Sequence, residues 1–193
     1  MVKAVEDGDR ERFVCAAGVL AHYVGDACQP LHISYKHDGD PDRPVEKMQV
    51  YNRTKKKWEW KENQPLGSGV HSAYEDDMVN YHVGEIDTGI DKGITGGDLL
   101  SDIKDAHDAA VLIVGLIRKT FHIIKPDEII EVFAPFQGDP PKKFNGAVPR
   151  AVADALWAAF GDKTIMVMAE GCRYLAHLWD SAWRSGKGDQ TIT

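Results

Sequence analysis

The sequence predicts a mainly α-helical protein in which all 193 residues form one domain. Apolar residues recur at three- and four-residue steps through several long segments, which is typical of amphipathic helices. Glycine and proline cluster between those segments and mark their ends. The 43% hydrophobic content supplies one sizeable core, whereas the length leaves no room for two domains of ordinary size.

The first predicted helix runs from about Asp9, a plausible N-cap, to about Gln29. Its apolar positions share one face, namely Phe13, Ala17, Leu20 and Val24. Proline disfavours the helical conformation at the residue before it, so Pro30 should end the helix near Gln29. His32 is therefore expected on the turn just beyond the helix.

The rest of the chain alternates helices with breaks. Further helices are predicted over about 69–83, 98–124, 126–133 and, as one broken helix or two successive ones, 149–186. Breaks are predicted at the Gly-rich segment 84–97 and the Pro- and Gly-rich segment 134–148. The segment 34–69 reads as a long excursion, and "MQVYNRTKKKWEW" within it predicts a hairpin. Its basic residues beside Trp58 and Trp60 could stack bases or lie at a lipid surface, or the hairpin could simply be exposed.

Charge and cysteine content limit the classes of function. A formal net charge of -7 argues against a basic groove for nucleic acid, although a metal site could still recruit phosphate locally. Three cysteines allow at most one disulfide, and reduced thiols are expected. The sequence has neither an apolar run of membrane-spanning length nor a signal-peptide pattern at its start, which predicts a soluble chain that is not exported.

Two short stretches carry residue types that bind metal ions. His22 and Asp26 are four residues apart on the first helix and project from one face, and His32 follows within the same eleven residues. His71 and Glu75 repeat the four-residue spacing on the second helix. If the two helices pack side by side, these imidazole and carboxylate groups suit zinc. Taken singly, a buried histidine is more often a hydrogen-bonded core residue than a metal ligand. An isolated His/Glu pair on a helix is likewise more often a solvated surface pair than a metal site.

The order of these residues is similar to that of a known superfamily. "AHYVGDACQPLH" closely resembles the HxxGDxxQPLH signature of the bacterial zinc phospholipases C and zinc-dependent single-strand nucleases. "GVHSAYED" resembles the HxxxD/E ligand motif that follows in the same proteins, and "EGCRYLAHLWDSAW" looks like their closing helix. By this resemblance the chain corresponds to the C-terminal two thirds of those enzymes.

The resemblance implies a helical fold with up to three zinc ions at the base of a cleft. His32, His71 and Glu75 match the side chains that hold one ion, and His22 and Asp26 match two ligands of a close zinc pair that the aspartate bridges. The implied activity is hydrolysis of phosphodiester bonds by metal-activated water, with Asp26 as the catalytic residue. The implied substrate is single-stranded nucleic acid or phospholipid. Members of the superfamily have Asp or Glu at the position of Glu75, and glutamate is associated with the phospholipase branch.

The chain departs from that pattern near its start. The enzymes of the superfamily complete the zinc pair with residues upstream of the HxxGD motif, whereas the 21 residues before His22 contain neither tryptophan nor histidine. The chain is thus either a fragment of a longer, secreted enzyme or a short relative with one full site and one half site. Two alternatives to an enzyme follow, a truncated non-catalytic protein with a structural zinc site and a metal-free helical domain.

Overall fold

A computed structural model describes residues 1–95 and 100–192, and it shows a mainly helical chain with one β-hairpin. The helices are α1 (Val2–Glu6), α2 (Arg10–Cys28), α3 (Val70–Ser72), α4 (Val79–Tyr81), α5 (Val83–Gly93), α6 (Ala106–Ile123), α7 (Pro126–Phe133), α8 (Arg150–Ser185) and α9 (Gly188–Thr191). A π-helical turn, Ala73–Met78, joins α3 to α4, and a 3₁₀ turn, Ala134–Gln137, follows α7. The predicted mainly helical class is confirmed. Within the described ranges, no helix is long and apolar enough to cross a membrane.

Helix α2 begins and ends where the sequence predicts. The carboxylate of Asp9 accepts a hydrogen bond from the backbone N–H of Arg12 at 2.9 Å and so caps the first turn. At the other end Gln29 is extended (φ -94°, ψ 111°), as expected for a residue that precedes proline. These two local signals fix the position of the turn that carries His32.

The predicted hairpin is present and is longer than the motif that indicated it. Strand β1 (Asp40–Asn52) pairs antiparallel with β2 (Lys57–Leu66), and Gln49 lies opposite Trp60. At the base of β1 the buried carboxylate of Asp40 accepts hydrogen bonds from Arg43 Nε at 2.7 Å and from Lys36 Nζ at 3.0 Å. Burial alone would raise the pKa of Asp40, but these two cations outweigh it and lower that pKa.

Helix α5 occupies most of a segment for which the sequence predicts a break, and that prediction is wrong. Two glycines of α5, Gly89 and Gly93, are contact points between helices. A Cβ added to Gly89 would lie 2.7 Å from the side chain of Ile165, and one added to Gly93 would lie 2.8 Å from Cβ of Ala169. Glycine at these positions allows α5 to pack closely on α8. The free energy gained from this packing exceeds the cost of the low helix propensity of glycine.

Helices α6 and α8 also differ from the predicted bounds. Helix α6 is capped by the carboxylate of Asp105, which accepts the backbone N–H of Asp108 at 3.0 Å, so the helix begins eight residues later than predicted. The predicted start, Asp98, lies outside the described residues. Helix α8 is continuous over 36 residues rather than broken. Gly171 within it is again a contact point, because an added Cβ would lie 2.3 Å from Sγ of Cys28 on α2.

Helix α8 contributes to both hydrophobic clusters of the core. One cluster joins α8 to α7, the π turn and the segment after α2, and its members include Leu31, Tyr74, Met78, Phe133 and Leu156. The other joins α8 to α2 and α6, and it includes Val24, Cys28, Leu116 and Leu178. The two clusters fix α2 and the π turn on the same side of α8, and this places their polar side chains around one cleft.

Candidate metal centre

His32 is directed back toward α2 by a short turn. The backbone N–H of His32 donates to the carbonyl of Gln29 at 3.1 Å, and that of Leu31 donates to the side-chain oxygen of Gln29 at 3.2 Å. The side chain of Leu31 is fully buried in the core and anchors the turn. As a result the imidazole Nδ1 of His32 lies 2.7 Å from Oδ1 of Asp26, one turn back in α2.

His71 and Glu75 come from the second helical segment. His71 lies in α3 and Glu75 in the π turn that follows, and Nε2 of His71 is 2.7 Å from Oε2 of Glu75. Because Tyr74 points inward and donates or accepts a hydrogen bond with Thr164 of α8 at 2.7 Å, the neighbouring Glu75 faces the cleft. Burial raises the pKa of Tyr74, so its hydroxyl stays neutral in this position.

The three side chains meet at one point. Nε2 of His32 lies 3.2 Å from Nε2 of His71 and 3.0 Å from Oε2 of Glu75. Ligand atoms of all three residues lie within 4.8 Å of one another. Around tetrahedral zinc, bonds of about 2.0–2.1 Å place ligand atoms about 3.3 Å apart. The cluster therefore fits a single ion after an opening of a few tenths of an ångström, and two imidazoles with one carboxylate are a donor set that zinc favours.

Asp26 contacts the nitrogen of His32 that faces away from His71 and Glu75. A carboxylate accepts hydrogen bonds only, so with an ion on Nε2 the ring proton of His32 would be on Nδ1 and would be donated to Asp26. Nε2, which faces His71 and Glu75, would then present its lone pair to the ion. This carboxylate–histidine pairing is the arrangement that commonly orients a histidine toward a metal ion.

His22 lies at the edge of the cluster. Its Nε2 is 3.5 Å from Oδ2 of Asp26, and its side chain is 72% exposed. Four of the five predicted ligands, His22, Asp26, His32 and Glu75, line one cleft, and His71 contacts His32 and Glu75. Among the predicted ligands, His32, His71 and Glu75 are within mutual ligand range. Asp26 contacts His32 and His22, and its predicted bridging and catalytic roles stay predictions.

The cleft is open to solvent and has a volume of about 360 Å³. Its polar lining residues include His22, Asp26, His32 and Glu75. Val79 and Met168 are among its apolar lining residues, and Tyr74 also borders it. Cys28 also borders it, but burial raises the pKa of this thiol to about 12, so it remains protonated and is a poor metal ligand. A bound ion would face both solvent and an apolar wall.

Asp38 and Lys143 fix the residue that precedes α3, the helix that carries His71. Asp38 accepts the backbone N–H of Gly69, which precedes α3, at 2.7 Å, and its other oxygen accepts from Lys143 Nζ at 2.9 Å. The partners of Asp38 are 31 and 105 residues away in sequence, so no local pattern indicates them. The His37 ring packs edge-on against the ring of His71, with 5.7 Å between centroids. Nδ1 of His71 is buried and has no hydrogen-bond partner among the described residues.

Comparison with known proteins gives one informative relative. No protein-family model matches the chain, and no solved structure matches it at a significant level. A probable serine protease of Bradyrhizobium tropiciagri is 37% identical to it over 190 residues, which is 97% of this chain. The chain spans 22% of that relative's length.

This comparison contradicts the activity predicted from the sequence. The relative carries the name of a protease, and the prediction of a zinc-dependent phosphodiesterase, whether nuclease, endonuclease or phospholipase C, is therefore wrong. The resemblance of the two motifs to the zinc phospholipase C and nuclease superfamily, the single domain, the bound zinc and the secreted parent stay predictions.

Serine side chains in the described part of the chain form no pair with a histidine through their hydroxyl groups. The hydroxyl of Ser34 accepts the N–H of Lys36, and that of Ser68 accepts from Lys143 Nζ. His177 does contact a serine, but through the backbone carbonyl of Ser101 at 2.9 Å. A serine nucleophile needs a base within hydrogen-bond reach of its hydroxyl, and these contacts do not supply one.

Proposed function

We propose that this chain is a zinc-binding hydrolase domain that acts on peptide bonds. The observation that carries the proposal is the compact cluster of His32, His71 and Glu75, two of which line a cleft. Two histidines and one glutamate are also the ligand set of several zinc peptidases, in which the fourth position is left for water or substrate. The name of the relative supports peptide bonds as the substrate class, and it supports an enzyme as the general class.

Each residue of the cluster would have a separate task. His32, His71 and Glu75 would hold the ion, and Asp26 would keep the His32 ring in the tautomer that presents Nε2. When bound, zinc polarises a carbonyl oxygen and lowers the pKa of a coordinated water to about 7. The apolar wall formed by Val79 and Met168 would exclude bulk water from one side of the cleft and contact an apolar substrate side chain.

The metal half of the proposal is tested by zinc content. The purified chain is loaded with zinc, dialysed against a weak chelator and analysed by inductively coupled plasma mass spectrometry. We expect about one zinc per chain, because one complete three-ligand set is present. His71→Ala should lose it. His177→Ala is the matched control, because the ring of His177 is hydrogen-bonded to the Ser101 carbonyl, and the variant should leave the zinc in place.

The substrate half is tested separately with fluorescein-labelled casein. Proteolysis that is abolished by 1,10-phenanthroline and by His71→Ala, but not by phenylmethylsulfonyl fluoride, supports catalysis at the metal. Proteolysis that is sensitive only to the serine reagent would contradict it and would assign the chemistry to a serine. Zinc retained by His71→Ala would instead overturn the ligand assignment itself.

A further inference from the structure

The tip of the β-hairpin differs in charge from the rest of the chain. The hairpin tip, defined here as residues 51–61, contains five basic residues and one acidic residue, whereas the whole chain has a formal net charge of -7. Lys55 and Lys57 both face Glu59, at 3.1 and 3.7 Å. Arg53 and Lys56 are exposed and have no ion-pair partner among the described residues. The tip therefore presents an excess of positive charge to solvent.

Aromatic rings lie beside these cations on one face of the hairpin. Trp58 and Trp60 are two residues apart in β2, so their side chains point to the same side of the sheet. Trp58 is 37% exposed and Trp60 is 51% exposed. The ring of Trp58 packs edge-on against Tyr51 with 5.3 Å between centroids, and Nζ of Lys142 lies 3.9 Å above its face.

The turn of the hairpin, residues 53–56, extends beyond the last backbone contact between the hairpin and the body. Gln49 of β1 exchanges backbone hydrogen bonds with the segment 141–143, and the turn begins four residues further along the strand. At about 3.3 Å per residue the turn lies about 13 Å past that contact, whereas the Lys142 side chain still reaches Trp58 and Trp60 lies opposite Gln49. A distance of about 13 Å exceeds the screening length of about 8 Å at physiological salt, so the acidic body only weakly offsets the charge of the turn.

We propose that the hairpin tip docks the chain on the surface of an anionic phospholipid bilayer. Tryptophan rings partition into the headgroup region, and lysine and arginine side chains are attracted to anionic lipid. A short, convex, basic projection can touch a flat surface while the acidic body stays clear of it. Single-stranded nucleic acid fits less well, because a basic groove that follows several phosphates is needed and the body would repel such a polyanion. This proposal is independent of the metal site.

Vesicle sedimentation tests the docking directly. The full chain is mixed with vesicles of phosphatidylcholine alone and with vesicles containing 30% phosphatidylserine. We expect binding to the anionic vesicles that weakens with salt, and at least tenfold weaker binding to neutral ones. Lys55→Gln/Lys56→Gln/Lys57→Gln and Trp60→Ala should each reduce partitioning to the anionic vesicles, the triple variant by at least tenfold.

A matched triple variant separates position from total charge. Lys92→Gln/Lys104→Gln/Lys125→Gln removes three exposed lysines from elsewhere and should leave vesicle binding unchanged. Circular dichroism and thermal melting show whether each variant is folded. The proposal is overturned if both triple variants bind anionic vesicles equally. It is also overturned if the chain ignores vesicles and binds a 30-nucleotide oligo(dT) through the same tip residues.

Discussion

The carboxylate of Asp26 contacts two other predicted ligands. Oδ1 lies within hydrogen-bond distance of His32 Nδ1, at 2.7 Å, while Nε2 of the same ring faces His71 and Glu75. The resemblance to the zinc phospholipases C and nucleases implies that Asp26 bridges two ions, and this stays a prediction. The contact with His32 supports an additional role in orienting that ring, and Oδ2 of Asp26 lies 3.5 Å from Nε2 of His22.

Replacing Asp26 by Asn is expected to weaken zinc binding by about 10- to 100-fold without changing the stoichiometry. Asparagine keeps a hydrogen-bonding oxygen but no longer supplies the charge that favours the Nδ1–H tautomer. Competition with a fluorescent zinc chelator measures the affinity. Asp162→Asn, at an exposed aspartate of α8, is the control and should bind zinc as the unmodified chain does. Loss of a second zinc equivalent in Asp26→Asn would contradict the orienting role and favour a bridging one.

At the scale of elements, the glycines of α5 and α8 decide how closely helices pack. Gly89, Gly93 and Gly171 all face a side chain of another helix at a distance that leaves no room for a Cβ. In sequence they look like interruptions, because glycine has low helix propensity. Close packing against α8 offsets that cost, and the helices continue through them.

Gly171→Ala is expected to destabilise the fold by about 1–3 kcal/mol, because the new methyl group would lie 2.3 Å from Sγ of Cys28 and force α2 and α8 apart. Urea unfolding measures the change in the free energy of unfolding. Gly115→Ala in α6 is the matched control; nothing lies within 4 Å of its added Cβ, so it should be neutral or stabilising by up to about 1 kcal/mol. Cys28→Ala should partly rescue Gly171→Ala. Equal stability of Gly171→Ala and the unmodified chain would show that the helix contact is not tight.

For the whole molecule, the metal cluster connects two segments that are distant in sequence. His32 follows α2, whereas His71 and Glu75 lie 39 and 43 residues later, after the entire hairpin. An ion bound there would link the two ends of the segment that contains the hairpin. Binding to the folded chain alone adds to stability by mass action.

Zinc at about 100 times its dissociation constant is therefore expected to stabilise the fold by about 2.7 kcal/mol. For a chain of this size the melting temperature should rise by about 5–10 °C. Differential scanning fluorimetry measures the shift, and magnesium at the same concentration should give a smaller one, because it prefers oxygen ligands. His71→Ala should show no zinc-dependent shift, whereas His177→Ala should keep it. A shift that persisted in His71→Ala would place the stabilising ion elsewhere.

Local signals in the sequence determined much of this protein. Asp9 and Pro30 set the bounds of α2, alternation and turn residues indicated the hairpin, and two i, i+4 pairs indicated where ligands would lie. These features depend on a few neighbouring residues, so they can be read without knowing the fold. The phosphodiesterase activity was inferred from motifs alone, and motifs do not fix the substrate of a site.

Only the tertiary structure decided which polar groups meet. It brought His32 to His71 and Glu75 across the hairpin, assigned Asp26 to His32, and placed Asp38 and Lys143 behind α3. It also showed that Gly89, Gly93 and Gly171 are contacts between helices rather than breaks. The physical reason is the same in each case: these outcomes depend on distances between segments that are far apart in sequence, and such distances are set by the packing of α2, the π turn and α7 against α8.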